Sequence, residues 1–162
     1  MSTTEFYGHR ITTNTAERRQ ESAEAEDGAS SRVRVMQADY TIIFFYYDDI
    51  AAVIPFYEEV MGFELVLDQG LARIYRVAGR CFFGIVDGNR GHLRHQPKSA
   101  VLLTIVAEDV AAWHRRMTSH GVAGLTEIRN GTYCEHFFFA DPAGYAIEVQ
   151  HFRDPAVAQL FA

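Results

Sequence analysis

The strongest constraint on the fold is that the second half of the chain repeats the order of the first. The segment DDIAAV at 48–53 corresponds to EDVAAW at 108–113. Each segment follows a run of aromatic or branched residues, and each precedes a glycine, Gly62 or Gly121, that is typical of a helix end. Self-similarity of this kind indicates a duplicated unit. The sequence therefore predicts two copies of one supersecondary motif.

The repeated unit has the order βαβββ. In the first copy, the buried strand YTIIFFYY at 40–47 precedes a helix capped by Asp49, and Pro55 is expected to loosen the first turns of that helix. In the second copy, AVLLTIV at 100–106 precedes a helix capped by Asp109. Three strand-like pieces follow each helix: FELVL, ARIYRV and CFFGIV in the first copy, and GLTEI, CEHFFFA and YAIEVQHF in the second. We therefore predict an α+β fold.

The repeat also sets the predicted boundaries. The modules occupy 38–87 and 99–152, and a polar linker at 88–98 joins them. Residues 1–37 are predicted to be a mobile N-terminal arm, because the stretch TAERRQESAEAEDGASS has no aromatic or branched apolar residue with which to order itself. Residues 153–162 are predicted to be a C-terminal tail.

Composition excludes several classes of partner. The net charge is −6 and no basic stripe with interleaved aromatics is present, so we expect no nucleic-acid binding. No apolar run approaches the roughly 20 residues that cross a membrane, and no secretory signal is evident. Cys81 and Cys134 are far apart and form no CxxC pattern, which is typical of a reducing compartment. We therefore predict a cytoplasmic protein.

Two motifs carry a resemblance to a known family. FYEEVMGFE at 56–64 closes the first helix, and FFFADPAGYAIEVQ at 137–150 lies near the C-terminus. With the paired modules, they resemble the vicinal oxygen chelate superfamily over residues 38–152. That superfamily includes glyoxalase I, the bleomycin-resistance proteins, fosfomycin-resistance enzymes and extradiol dioxygenases. The resemblance implies sheets that curl around a groove, a small-molecule ligand in that groove, a divalent ion in the metalloenzymes, and a homodimer.

The resemblance also implies four metal-ligand positions. They are a His on the first strand of each module, seven residues before the capping aspartate, and a carboxylate on the last strand, four residues after the hairpin glycine. In this sequence the four positions are Ile42, Phe83, Leu102 and Glu148. One carboxylate does not hold an ion alone, since such sites use three or more ligands. We therefore expect no metal and no other cofactor, which argues against glyoxalase, epimerase and dioxygenase activities.

Alternation along the strands extends the predicted groove from these positions, because residues two apart share a face. The groove that results is mainly apolar and aromatic, as small-molecule sites are. The predicted ligand-binding residues are Ile42, Phe44, Tyr46, Phe83, Leu102, Thr104, Phe137 and Gln150.

Glu148 is the candidate catalytic group, because a carboxylate within a buried strand needs a partner or a role. Direct pairing across the hairpin would place Glu135 on the groove face with it, and Tyr133 further along. A bulge at Gly144 would shift the pairing by one residue and bring His136 there instead. Glu148 could equally accept a hydrogen bond from a ligand or be satisfied by its neighbours.

Three functions follow in order of preference. The first is metal-independent binding of an apolar or aromatic small molecule, for sequestration or self-resistance. The second is a metal-free enzyme in which Glu148, assisted by Glu135 or Tyr133, transfers a proton in an isomerase, cyclase or lyase reaction. The third is a divalent-metal lyase or dioxygenase with displaced ligands.

Overall fold

The computed structural model describes residues 38–161, which form two four-stranded mixed sheets, one per module. The predicted α+β fold of paired βαβββ modules is confirmed. The predicted arm at 1–37 lies outside the described residues. The first sheet contains β1 (Thr41–Tyr47), β2 (Glu64–Asp68), β3 (Ala72–Ala78) and β4 (Cys81–Asp87) in the order β1-β4-β3-β2. The second contains β5 (Leu102–Val106), β6 (Arg129–Asn130), β7 (Cys134–Ala140) and β8 (Ala146–Phe152) in the order β5-β8-β7-β6.

In each sheet the first and last strands of the module pair in parallel, and the other neighbours are antiparallel. The sheets are not closed into a barrel. We call the side of each sheet that packs on the helical segments its core face, and the opposite side its open face. Alternation is clear in β1, where Phe45 and Tyr47 are buried on the core face while Phe44 is exposed.

Both modules contribute to one hydrophobic core. The ring of Phe45 in the first sheet stacks on Tyr145 at the second hairpin, with centroids 4.5 Å apart. The helical segments also meet, because the guanidinium of Arg116 donates to the carbonyl oxygens of Val60 and Glu59 at 2.6 Å. The modules are therefore packed together rather than only joined by the linker.

The helical segments of the two modules differ although their sequences are alike. Asp109 caps the helix α1 (Val110–Ser119) by accepting from Ala112 N at 2.7 Å, as predicted. The corresponding segment of the first module is a turn followed by a π-helix, Phe56–Val60. Pro55 accounts for the difference, since it lacks the N–H for an i→i−4 bond and its ring crowds the preceding turn.

One peripheral segment departs from the predictions. The predicted strand GLTEI is wrong, because the pairing strand β6 is only Arg129–Asn130. Thr126 holds the GLTEI segment to β7 instead, since its N–H donates to Phe138 O and its Oγ1 accepts from Phe138 N, both at 2.9 Å. Near the C-terminus, a short helix α2 (Pro155–Ala158) and a 3₁₀ turn (Gln159–Phe161) follow β8.

A buried carboxylate ties the two modules together. Asp141 opens the β7–β8 turn and is 1% exposed. Its Oδ2 accepts hydrogen bonds from the hydroxyls of Tyr47 and Tyr57 in the first module, each at 2.9 Å. Its Oδ1 accepts from the backbone N–H groups of Ala143 and Tyr145 at 2.9 and 2.8 Å. Four donors satisfy this carboxylate, as burial of a charge requires.

Candidate ligand site on the open sheet faces

The open faces of both sheets carry exposed apolar side chains. Phe44 and Leu67 are exposed on the first sheet, and Leu102 and Val106 on the second. Clusters of this kind mark interaction surfaces or ligand grooves more often than scattered single residues do. The open faces are therefore where we place the candidate site.

Two cavities lie along these faces. One, of about 560 Å³, is lined by residues of β1, of β5 and of the linker, including Arg94 and Lys98, and we call it the interstrand cavity. Three predicted ligand-binding residues line it, namely Phe44, Tyr46 and Leu102. The second, of about 380 Å³, lies on the open face of the first sheet, and we call it the arginine cavity. Ile42 lines it together with Ile74, Phe82, Arg76, Arg80 and Tyr40.

The predicted polar residues meet on the open face of the second sheet. Glu148 is half-buried there, and Thr104 on the neighbouring strand donates its hydroxyl to Glu148 Oε2 at 2.9 Å. Gln150 follows on the same face, and His136 is its partner across the β7–β8 ladder. The structure therefore brings together Thr104, Glu148 and Gln150, and His136, the alternative to Glu135, lies in the same row.

A thiol lies close to this polar row. Cys134 Sγ is 3.7 Å from His136 Nδ1. Partial burial raises the pKa of the Cys134 thiol and the nearby Glu148 carboxylate raises it further, while Arg153 opposes them. The thiol therefore stays protonated at neutral pH, which makes it a weak nucleophile.

Phe83 does not face the groove, and its placement there is wrong. Its ring is fully buried on the core face, 5.1 Å from Phe45 and 4.7 Å from Tyr57 between centroids. The error comes from counting residues from the hairpin glycine. The two glycines lie equally far from the strands that follow them, but Phe83 pairs with the core-face residue Ile43, so the same count reaches the opposite face from Glu148.

The structural counterpart of Glu148 is Gly84. Glu148 pairs with Thr104, and Gly84 pairs with Phe44, the residue that the repeat aligns with Thr104. A Cβ built on Gly84 would lie 2.4 Å from two carbons of the Phe44 ring. The Phe44 ring thus occupies the space that a side chain at position 84 would need.

The direct pairing predicted for β7 and β8 is also wrong by one residue. Phe138, not Phe137, lies opposite Glu148, and Phe137 is buried on the core face beside His114 at 5.0 Å. Glu135 pairs with His151 and so lies on the side opposite Glu148. The five-residue loop produces the shifted arrangement that the sequence left open.

Tyr133 precedes β7 and is 79% exposed, away from the row that contains Glu148. Sequence reasoning also missed Arg76, Arg80 and Phe82. The alternation of the strands would have found Phe82 and Arg76 had the register of β4 been counted from Gly84, since these two residues pair across β3 and β4.

Comparison with protein families gives a match over residues 38–149 to the Glyoxalase/Bleomycin resistance protein/Dioxygenase superfamily. The chain belongs to this superfamily. No curated protein sequence matches it.

Several solved structures share the fold at low sequence identity. Lactoylglutathione lyase from Agrobacterium tumefaciens aligns with a TM-score of 0.58 and 23% identity, covering 71% of this chain and 94% of that chain. TnmS3, an antibiotic binding protein from Streptomyces sp. CB03234, aligns with a TM-score of 0.60 and 22% identity, covering 74% and 99%. TioX from Micromonospora sp. ML1 aligns with a TM-score of 0.60 and 14% identity, covering 71% and 99%.

The superfamily's metal-ligand positions do not fit an ion in this chain. With the corrected register they hold Ile42, Gly84, Leu102 and Glu148, which supply one carboxylate. Divalent ions in proteins take several oxygen, nitrogen or sulfur ligands. Across residues 38–161, no three His, Cys, Asp or Glu side chains form a group that could hold a metal ion. Within the same range, no helix is long and apolar enough to span a membrane.

Proposed function

We propose that this superfamily member binds an apolar or aromatic small molecule on its open sheet faces, without a metal and without catalysing a reaction. The observation that carries the proposal is the interstrand cavity, where Phe44, Tyr46 and Leu102 present apolar surface within a space of about 560 Å³. Sites of this size and lining suit small organic ligands. TnmS3, which shares the fold, is described as an antibiotic binding protein.

A binding experiment on the full chain tests the proposal. Naphthalene, indole and quinoline derivatives would be titrated calorimetrically, and the bound compound would then be recovered and analysed by mass spectrometry. We expect one-to-one binding with the ligand recovered unchanged. Leu102→Ala should weaken binding about tenfold, since truncating a side chain in a pocket removes about 1–2 kcal/mol of apolar contact. Leu160→Ala, at a residue that is 77% exposed near the C-terminus, is the matched control.

Metal content tests the second part of the proposal. The protein would be purified without chelators or a metal-affinity tag and analysed by mass spectrometry for divalent ions. We expect less than about a tenth of an equivalent of any ion, because four positions with one carboxylate offer too few ligands. A near-stoichiometric ion would contradict metal independence and return the lyase and dioxygenase chemistries as candidates with displaced ligands.

A metal-free enzyme is the second candidate, and the hydrogen bond from Thr104 to Glu148 favours it. A carboxylate oriented by a hydroxyl, beside His136 and Gln150 on an open face, has the groups that proton transfer needs. Glu148→Gln separates the two candidates, because it keeps the shape of the side chain and removes the base. If the unmodified protein converts a compound, and Glu148→Gln still binds that compound but does not convert it, the enzyme is supported. Unchanged turnover in Glu148→Gln would exclude Glu148 as the base.

The exposed apolar faces also support a homodimer, in which a second copy covers part of each open face. Light scattering on the eluted protein should give twice the mass of the chain. Val106→Arg, on the open face, should shift the protein toward a monomer, while Ala111→Arg, on the exposed side of α1, should not. A monomer at all concentrations would contradict this part of the proposal.

The free thiols of Cys81 and Cys134 suit the cytoplasm as the site of action.

A further inference from the structure

The arginine cavity combines an apolar floor with two guanidinium groups. Ile42, Ile74 and Phe82 form its floor, and Arg76 and Arg80 stand at its rim. Its lining residues include no acidic side chain, although the chain as a whole has a net charge of −6. Positive charge concentrated over apolar surface selects a ligand by the sign of its charge as well as by its shape.

Arg76 is held in place by three contacts. Its Nη1 donates to the carbonyl oxygen of Gly79 at 3.0 Å, and its Nε donates to Glu64 Oε2 at 3.2 Å. Its guanidinium carbon lies 5.0 Å from the centroid of the Phe82 ring, the geometry of a cation–π contact. Because the group is oriented before a ligand arrives, little side-chain entropy remains to be lost on binding.

Within residues 38–161, Arg80 is the less engaged of the two arginines. Within residues 38–161 its Nε donates to the carbonyl oxygen of Asp39 at 2.6 Å, and no other hydrogen bond or ion pair of this side chain is present. The planar fork of a guanidinium matches the two oxygens of a carboxylate. Beside it, Tyr40 meets Phe82 edge to face at 5.7 Å, so aromatic surface continues up to the charged rim.

We infer that the arginine cavity binds a planar aromatic carboxylate. The aromatic ring lies on Ile42 and Phe82, and the carboxylate meets the guanidinium groups of Arg76 and Arg80. This inference rests on the proposed small-molecule function and narrows its ligand class. It also assigns the open face of the first sheet to charge recognition by Arg76 and Arg80.

Two probes that differ in charge but little in shape test the inference. The full chain would be titrated calorimetrically with 2-naphthoate and with 2-naphthamide at low salt. We expect naphthoate to bind about tenfold more tightly, because hydrogen bonds to a charged group are stronger than those to a neutral one. This preference should shrink as sodium chloride is raised, since salt screens exposed charges.

Three variants locate the preference within the cavity. Arg80→Gln should abolish it, whereas Arg115→Gln, which makes the same charge change on the exposed side of α1, should leave it unaltered. Glu64→Gln should strengthen naphthoate binding severalfold, because it removes the carboxylate that Arg76 already binds. All three substitutions lie at exposed side chains and spare the core.

Other results would overturn the inference. Equal affinity for the two probes would remove charge recognition and leave the proposed apolar binding function intact. An equal loss of preference in Arg115→Gln and Arg80→Gln would assign the effect to overall charge rather than to this cavity. No binding of either probe would refute an aromatic carboxylate site in this cavity. The proposed function would still be tested separately by the naphthalene, indole and quinoline derivatives described above.

Discussion

At the scale of single residues, the cluster of Tyr47, Tyr57 and Asp141 between the modules makes the folded state less stable at alkaline pH. Tyr47 and Tyr57 are buried, and burial raises the pKa of each phenol well above its usual value near 10. The negative charge of Asp141 beside both hydroxyls raises these pKa values further. Both groups therefore stay protonated in the folded state at pH values where the unfolded chain has lost the same protons.

We expect the free energy of unfolding to fall as pH rises above about 10. Below that pH both the folded and the unfolded state hold the phenol protons, so the cluster adds no slope to the free energy of unfolding against pH. Above it the unfolded state binds fewer protons, and the free energy of unfolding falls by about 1.4 kcal/mol per pH unit per tyrosine. Urea denaturation between about pH 8 and 11 measures this slope. Tyr47→Phe should reduce the slope, while Tyr133→Phe, at an exposed tyrosine, should not. Identical slopes in all three proteins would contradict the assignment.

A second residue-scale prediction concerns Gly84 and Phe44. Gly84→Ala alone should destabilise the protein by about 1–3 kcal/mol, because the new methyl group would collide with the Phe44 ring. In the background of Phe44→Ala the same change should cost at least about 1 kcal/mol less. Urea denaturation of the four proteins in this cycle gives the coupling. Additive costs would mean that the ring does not occupy this space.

The register around Gly84 also explains how far the candidate site could be read from the sequence. Alternation correctly placed Ile42, Phe44 and Leu102 on open faces, because each lies at a fixed distance from the capping aspartate of its own module. Phe137 was misplaced because its pairing depends on hairpin loop length, and Phe83 because Gly84 rather than Phe83 pairs with Phe44. In both cases a shift of one residue moves a side chain to the other face. Arg80 lies in a turn, where no periodicity applies.

At the scale of elements, the repeated capping aspartates should differ in importance. Asp109 caps a regular ten-residue helix, so Asp109→Ala should lower the free energy of unfolding by about 1 kcal/mol. Asp49 Oδ1 accepts from Ala51 N at 2.8 Å, but a turn rather than a helix follows. Asp49→Ala should therefore cost less than about 0.5 kcal/mol. Equal costs, measured by urea denaturation, would imply that both caps support a helix.

The contrast between these elements shows which parts of the fold can be predicted from the sequence. The element order and α1 follow from patterns of apolar residues and caps that act locally. The π-helix could not be specified, since Pro55 indicates a disruption but the packing of Phe56 and Tyr57 into the core selects how the backbone accommodates it. Likewise β6 shortens because the Thr126 side chain takes over bonds to β7 that a strand would make.

At the scale of the whole molecule, the shared core makes the modules interdependent. Phe45 of the first module stacks on Tyr145 of the second, and Asp141 is satisfied by tyrosines from across the junction. Separating the modules would expose these rings and leave the carboxylate without two of its four donors. Each module alone would therefore lose buried apolar surface and the hydrogen bonds that cross the junction.

We therefore expect residues 38–161 to unfold in one cooperative transition. The single tryptophan, Trp113, lies in α1 of the second module, so its fluorescence reports that module, whereas far-ultraviolet circular dichroism reports both. Phe45→Ala in the first module should cost about 3–5 kcal/mol and should move the urea midpoints of both signals equally. Phe161→Ala, at a residue that is 74% exposed, should move neither. If the urea midpoint of the tryptophan signal stays unchanged while that of the dichroism signal falls, the second module is stable without the first. The junction would then contribute little to holding the open faces in their relative positions.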